Sequence, residues 1–117
     1  MHNFRNLIIW QKSKELVKDI YKLTSEFSKE EKFGIISQIQ RSCISISSNI
    51  AEGSGRNSKK DFNRFLEIAI SSSFELESLM VLSFDLSYCS NEKYEDIINK
   101  IKEIQKMIYG FKNKLIK

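Results

Sequence analysis

The 117 residues contain no proline and only four glycines. Those two residue types build most tight turns, and an all-β domain needs such turns at short intervals. A chain without them must run in a few long segments. Long segments free of proline fold as helices. Domains commonly have about 100–150 residues, so residues 1–117 form one domain. At this length about two-thirds of the unfolded surface is buried, enough for a core without staples. Hydrophobic residues make up 41% and charged residues 29%, which excludes disorder and a membrane-embedded chain.

Apolar periodicity divides the chain into four helical segments. The first is predicted from about Leu7 to Phe27, with Leu16, Ile20, Leu23 and Phe27 on one face, widened by Trp10, Val17 and Tyr21. Ser28 and Glu31 then form a capping box that opens a second helix from about Lys29 to Ala51. Its seam is Phe33, Ile36, Ile39, Cys43, Ile46 and Ile50. Gly53 and Gly55 are expected to end it, because glycine tolerates the left-handed conformation common at helix C-termini. The short loop Gly53–Asn57 turns the chain back antiparallel. A third helix is predicted from about Lys59 to Tyr88, capped by Asn57 or Ser58, and at 1.5 Å per residue it is about 45 Å long. Phe62, Phe65, Leu66, Ala69, Leu76, Leu79, Met80, Leu82, Phe84 and Leu86 cover more than one of its faces, more than one helical partner needs. The fourth, from about Asn91 to near the C-terminus, carries the cleanest seam: Tyr94, Ile97, Ile101, Ile104, Ile108, Phe111 and Leu115. Gly110 sits inside it at a cost of about 1 kcal/mol relative to alanine. The expected architecture is an all-α, up-down-up-down four-helix bundle.

Several chemistries are excluded by what is missing. The one histidine, His2, stands at a terminus expected to be mobile, so no zinc or di-iron ligand set and no serine–histidine pair is available. Gly53-Ser54-Gly55-Arg56 follows a helix and lacks the spacing of a phosphate-binding P-loop. Glu52, Glu75 and Glu77 offer carboxylates alone, at best a weak hard-cation site, and pairing with Arg41 or Arg56 is their expected role. No catalytic residue, metal or cofactor is therefore expected, and the chain reads as a non-enzyme. Cys43 and Cys89 are not a CxxC pair and read as reduced core thiols of a cytoplasmic protein. The apolar run Leu7–Trp10 falls far short of the ~20 residues of a membrane span.

Two polar features remain. Gln38, Arg41, Ser45, Ser48 and Glu52 recur at spacings of three and four along the second helix, with Asn49 beside them. Arg64, Glu67, Ser71, Glu75 and Ser78 do the same on the third. Small hydroxyl residues permit close helix approach, so part of this stripe reads as a subunit interface. The alternative is a solvated face. The net charge is +4, with basic excess near both termini. Lys12, Lys14, Lys18 and Lys22 on the first helix, Arg56, Lys59 and Lys60 at the loop, and Lys102, Lys106, Lys112 and Lys114 on the fourth are candidate phosphate contacts. Stacking aromatics are not evidently exposed, so low sequence specificity is expected.

The run Ser37-Gln38-Ile39-Gln40-Arg41-Ser42, followed by Ser45 to Arg56 (SISSNIAEGSGR), resembles the signature of the S23-like family. These are four-helix bundle proteins encoded in intervening sequences of bacterial 23S ribosomal RNA genes. They are similar to the accessory variability protein of diversity-generating retroelements. Leu7 with Trp10-Gln11-Lys12, Glu15-Leu16, Ile20-Tyr21, Phe27, Glu31-Lys32-Phe33-Gly34 and Glu75-Leu76-Glu77 extend the likeness from about Phe4 to Leu115. Departures are Ser28, where the family often has proline, and Ser71-Ser72, where it often has Gly-Ser. The resemblance implies a cyclic homo-oligomer, a pentameric barrel, and nucleic-acid binding through basic surface. It also leaves room for a protein-interaction scaffold whose partner handles the nucleic acid. Asn49, Glu52 and Gly53 are expected to be structural, the first two as satisfied polar groups and Gly53 as the turn.

Overall fold

A computed structural model describes residues 2–31 and 33–117, with Glu31 described by its backbone only. Among the described residues there are four α-helices and no strand. They are α1 (Ile8–Thr24), α2 (Ile35–Ser54), α3 (Lys59–Asp85) and α4 (Asn91–Leu115). Two short 3₁₀ turns, Phe4–Asn6 and Lys29–Glu31, precede α1 and α2. The helices pack α1 on α2, α2 on α3, α3 on α4, and α4 back on α1. Ion pairs join Lys12 to Glu103, Asp19 to Lys100 and Glu26 to Lys93, so residue numbers rising along α1 fall along α4. The body measures 43 × 23 × 20 Å.

One apolar core runs through all four helices. Ile20, Ile39, Cys43, Ile46, Ile50, Leu66, Leu76, Met80, Ile101 and Ile108 are fully enclosed. These positions follow the three-and-four spacing of each helix, so periodicity places the core. Buried serines let the helices approach closely without leaving an unpaired hydroxyl. Ser13, Ser42 and Ser73 donate to the carbonyls of Trp10, Ile39 and Ile70 at 2.8, 3.0 and 2.6 Å. Ser83 donates to Leu79 at 2.8 Å.

The termini of three elements differ from the sequence expectation. α1 ends at Thr24, three residues short of Phe27. α2 begins at Ile35, not Lys29, so Phe33, the first residue of its expected seam, precedes the helix and is 91% exposed. Ser28 Oγ accepts from the Glu30 amide at 3.4 Å, two residues on, and only a 3₁₀ turn follows before Gly34 interrupts it. The Glu31 carboxylate of the expected capping box lies outside the described atoms. α2 then continues through Gly53, which is not the turn but part of the last helical turn. No described glycine has a positive φ, and Gly55 caps the helix at φ −86°. Its amide bonds the Glu52 carbonyl at 3.3 Å and the Arg56 amide bonds Gly53 at 3.0 Å, a tightened last turn that needs no left-handed residue. α3 stops at Asp85, short of Tyr88. Ser87 takes φ +64°, its amide bonds Phe84 O at 2.9 Å, and Tyr88 N bonds Ser83 O at 2.9 Å. That is a Schellman motif with serine in the left-handed position where glycine is usual. α3 and α4 start where expected, with Ser58 Oγ accepting from Asp61 N at 3.1 Å and Ser90 Oγ from Lys93 N at 3.2 Å.

Candidate nucleic-acid interface

The polar stripe on α2 divides into two parts. Ser45 and Asn49 are half-buried, and Ser45 Oγ lies 2.8 Å from Ser72 Oγ of α3. Asn49 Nδ2 donates to Ser45 O at 2.7 Å and to Ser45 Oγ at 3.1 Å. These groups stitch α2 to α3 within one chain. Gln38, Arg41, Ser48 and Glu52 are exposed. Glu52 pairs with Arg56 at 3.8 Å, while Arg41 and Glu75 have no ion pair among the described residues. Glu77 accepts from Gln105 Nε2 at 2.8 Å, tying α3 to α4. No group of three or more His, Cys, Asp and Glu able to hold a metal occurs among the described residues.

The matching line on α3, Arg64, Glu67, Ser71, Glu75 and Ser78, is exposed and has apolar neighbours. Phe74 is 50% exposed, and Ile68, Val81 and Leu82 are exposed with it, as is Ile44 on α2. Periodicity places Leu82 in the wide apolar arc of α3 but passes over Ile68, Phe74 and Val81. No regular three-and-four spacing ties those three to the seam.

The basic candidates also sort by their partners. Lys12 lies 3.5 Å from Glu103 and Lys18 3.6 Å from Glu15. Arg56 stacks over the Phe65 ring at 4.7 Å. Lys14 lies over the Trp10 ring at 5.5 Å. Lys22, Lys59, Lys60, Lys102, Lys106, Lys112 and Lys114 make no ion pair among the described residues. Exposed pairs of this kind contribute about 0–1 kcal/mol, so pairing dims a lysine's field more than it stabilises the fold. Lys100, bonded by Asp19 and by Asp96, has its pKa raised by those hydrogen bonds.

Placement gives the charge a direction that the sequence conceals. The His2 amide donates to Ser54 O at 2.8 Å. The His2 ring lies 5.2 Å from Phe62 and 6.0 Å from Phe111, whose own rings are 5.5 Å apart. The terminus expected to be mobile is therefore pinned to the ends of α2, α3 and α4. Residues 2–15, 52–67 and 103–117 meet at this end and hold eleven Lys and Arg against five Asp and Glu. The rest of the chain holds eight against ten. Aromatic groups are exposed as well, contrary to expectation: Tyr109 is 44% exposed and lies three residues from both Lys106 and Lys112. Trp10 and Phe4, half-buried, meet edge to face at 4.8 Å. Arg5, absent from the sequence-derived candidates, lies over the Phe4 ring at 5.7 Å. The interleaving Phe4-Arg5, Trp10, Lys14 is the signal that marks these residues.

Comparison with known proteins places the chain. The model of the 23S rRNA-intervening sequence protein family matches residues 5–110. The crystal structure of a protein of unknown function from the S23 ribosomal protein family of Bacteroides thetaiotaomicron is similar. It shares 33% identity with a TM-score of 0.85, over 91% of this chain and 96% of that one. No curated protein matches. No helix among the described residues is long and apolar enough to cross a membrane. With a family match across most of its length, the chain belongs to the 23S rRNA-intervening sequence proteins.

Proposed function

We propose that this chain is a non-catalytic, up-down-up-down four-helix bundle that assembles into a cyclic homo-oligomer and binds RNA or DNA through basic surface, with low sequence specificity. The observation that carries the reading is the concentration of eleven basic against five acidic side chains at one end of the body. A field of that sign attracts phosphate backbones whatever their sequence. Assembly multiplies it, and the five copies implied by the family resemblance bring the net charge to about +20. The exposed Ile68, Phe74, Val81 and Leu82 of α3, on the helix whose Glu75 makes no ion pair among the described residues, support a contact between copies. Two free thiols fit a reducing cytoplasm.

Fluorescence anisotropy against a structured RNA and a duplex DNA, titrated from low to physiological salt, tests the binding. Affinity that persists at physiological salt, with a slope of several phosphate contacts, is the expected result. Mass in solution tests the assembly, and Arg41→Glu is expected to lower it. The apolar face of α3 also favours a second reading, a scaffold whose protein partner handles the nucleic acid. On that reading the isolated protein loses all nucleic-acid binding before physiological salt is reached.

A further inference from the structure

At the basic end, the first turns of α1 and the 3₁₀ turn before it form an open cleft of about 600 Å3 lined by Arg5, Ile8, Trp10, Gln11, Lys12, Lys14 and Glu15. That lies within the ~300–1,000 Å3 of ordinary ligand clefts. We propose that this cleft holds one unpaired base of a single-stranded polynucleotide against Trp10, with Arg5 and Lys14 on the flanking phosphates. The inference rests on the nucleic-acid reading above and adds a stacking site to it.

Three observations lead there. The cleft is built before any ligand arrives: Asn3 Oδ1 accepts from Arg5 N at 3.1 Å, and Gln11 Nε2 donates to Arg5 O at 2.7 Å. Those bonds hold Phe4 and Arg5 across the start of α1, where the Phe4 ring braces Trp10 edge-on. The cleft holds three cations, Arg5, Lys12 and Lys14, against one carboxylate, Glu15. Lys12 is committed to Glu103 and Glu15 to Lys18, which leaves Arg5 and Lys14 as its cations without a carboxylate among the described residues. Both rest instead over aromatic rings, Arg5 on Phe4 and Lys14 on Trp10. A flexible lysine stem can leave a ring for a phosphate when a base takes its place. Finally, Ile8 is 62% exposed at the cleft, an apolar surface beside the indole that a base can cover.

A single strand meets all three features, because its bases are free to stack on a protein ring. A duplex keeps its bases inside the stack. An anionic membrane needs a broad apolar helix face. Here the exposed residues that follow Ile8 along α1 are Gln11, Lys12, Lys14, Glu15, Lys18, Tyr21 and Lys22, a polar face in which Tyr21 is the single apolar group and lies more than three turns from Ile8.

Trp10 is the only tryptophan, so tryptophan emission, excited selectively over the four tyrosines, reports this cleft. The full-length protein is titrated with a labelled oligouridylate 12-mer and with a 12-base-pair duplex, reading anisotropy and tryptophan emission together. Vesicles of phosphatidylserine and phosphatidylcholine form a third arm. The expected result is quenching that tracks the anisotropy of the single strand and is absent with the duplex. Trp10→Ala is expected to weaken single-strand binding by about 5- to 150-fold, the range for removing one stacked base, with duplex affinity unchanged. Trp10→Phe, which keeps the packing, is expected to recover part of that effect. Single-strand binding with unchanged emission overturns the stacking site and leaves the nucleic-acid reading intact. No binding of either polynucleotide at physiological salt overturns both. An emission change with vesicles and none with oligonucleotide assigns the cleft to a membrane surface and overturns the proposal.

Discussion

Gly53 and Gly110 both lie inside helices, and they do so under opposite constraints. A Cβ on Gly53 would sit 2.7 Å from Phe65 Cβ and 2.9 Å from Phe62 Cδ1, so α2 and α3 touch there through a missing side chain. Gly53→Ala is expected to destabilise the protein by about 1–3 kcal/mol, the usual cost of overpacking, as read by denaturant unfolding. A Cβ on Gly110 would meet nothing within 4 Å. Gly110→Ala is expected to stabilise by up to about 1 kcal/mol in the same assay, since only helix propensity is at stake. The two cysteines differ in a similar way. Burial pushes the Cys43 thiol up to about 12, whereas Cys89 is half-buried, and its upward shift from burial is opposed by Lys93. At pH 8 a thiol reagent is expected to modify Cys89 well before Cys43 in the native protein, and both in denaturant. The sign for stability follows: an unfolded Cys43 ionises above about pH 8.5, while the folded one holds its proton. Its contribution therefore falls as pH rises from there towards 12.

Among the elements, α3 carries the tightest local conflict. Its last turn closes through Ser87 at φ +64°, a conformation that costs an L-residue about 1–2 kcal/mol. Ser87→Gly removes that cost and adds some unfolded-state entropy, so a net gain of about 0.5–1 kcal/mol is expected in thermal or denaturant unfolding. A decrease would mean that the serine side chain stabilises the turn. The same serine explains why the helix end was not legible: apolar periodicity continues through Leu86 and Tyr88, and no glycine announces the stop. α2 shows the reverse. Two glycines near its end suggested a left-handed cap, yet one is a packing contact and the other caps with an ordinary negative φ.

Across the whole molecule, charge is polarised along a body 43 Å long. If the basic end binds nucleic acid, reversing Lys59 and Lys60 to glutamate is expected to reduce affinity. The salt dependence should flatten by about 0.7–0.9 for each phosphate that the protein no longer neutralises. Reversing Lys22 and Lys29, which lie outside that end, is expected to do much less. Equal effects from both pairs would show that total charge alone governs binding. The proposed five-copy assembly sharpens this test, because every copy repeats the same polarity.

Most seam positions of α1 to α4, the cap at Ser58, and the core isoleucines of those seams were legible in the sequence. Each depends on residues three or four apart on one helix, and that spacing is visible in a linear chain. Buried Ile9, Ile70 and Ile98 were not legible, and Phe33, a seam residue by its spacing, is exposed. The candidate lysines were legible only as residue types at known positions. Lys18 meets Glu15 three residues away on its own helix, but whether Lys12 is spent on Glu103 depends on the packing of α1 against α4 across about 90 positions. The same holds for Gly53, whose neighbour is Phe65, and for Ser45, whose partner is Ser72. Local backbone geometry and hydrophobic spacing determined four helices. Only their tertiary packing brought residues 2–15, 52–67 and 103–117 to one end, set Phe4 against Trp10, and left the apolar groups of α3 in water.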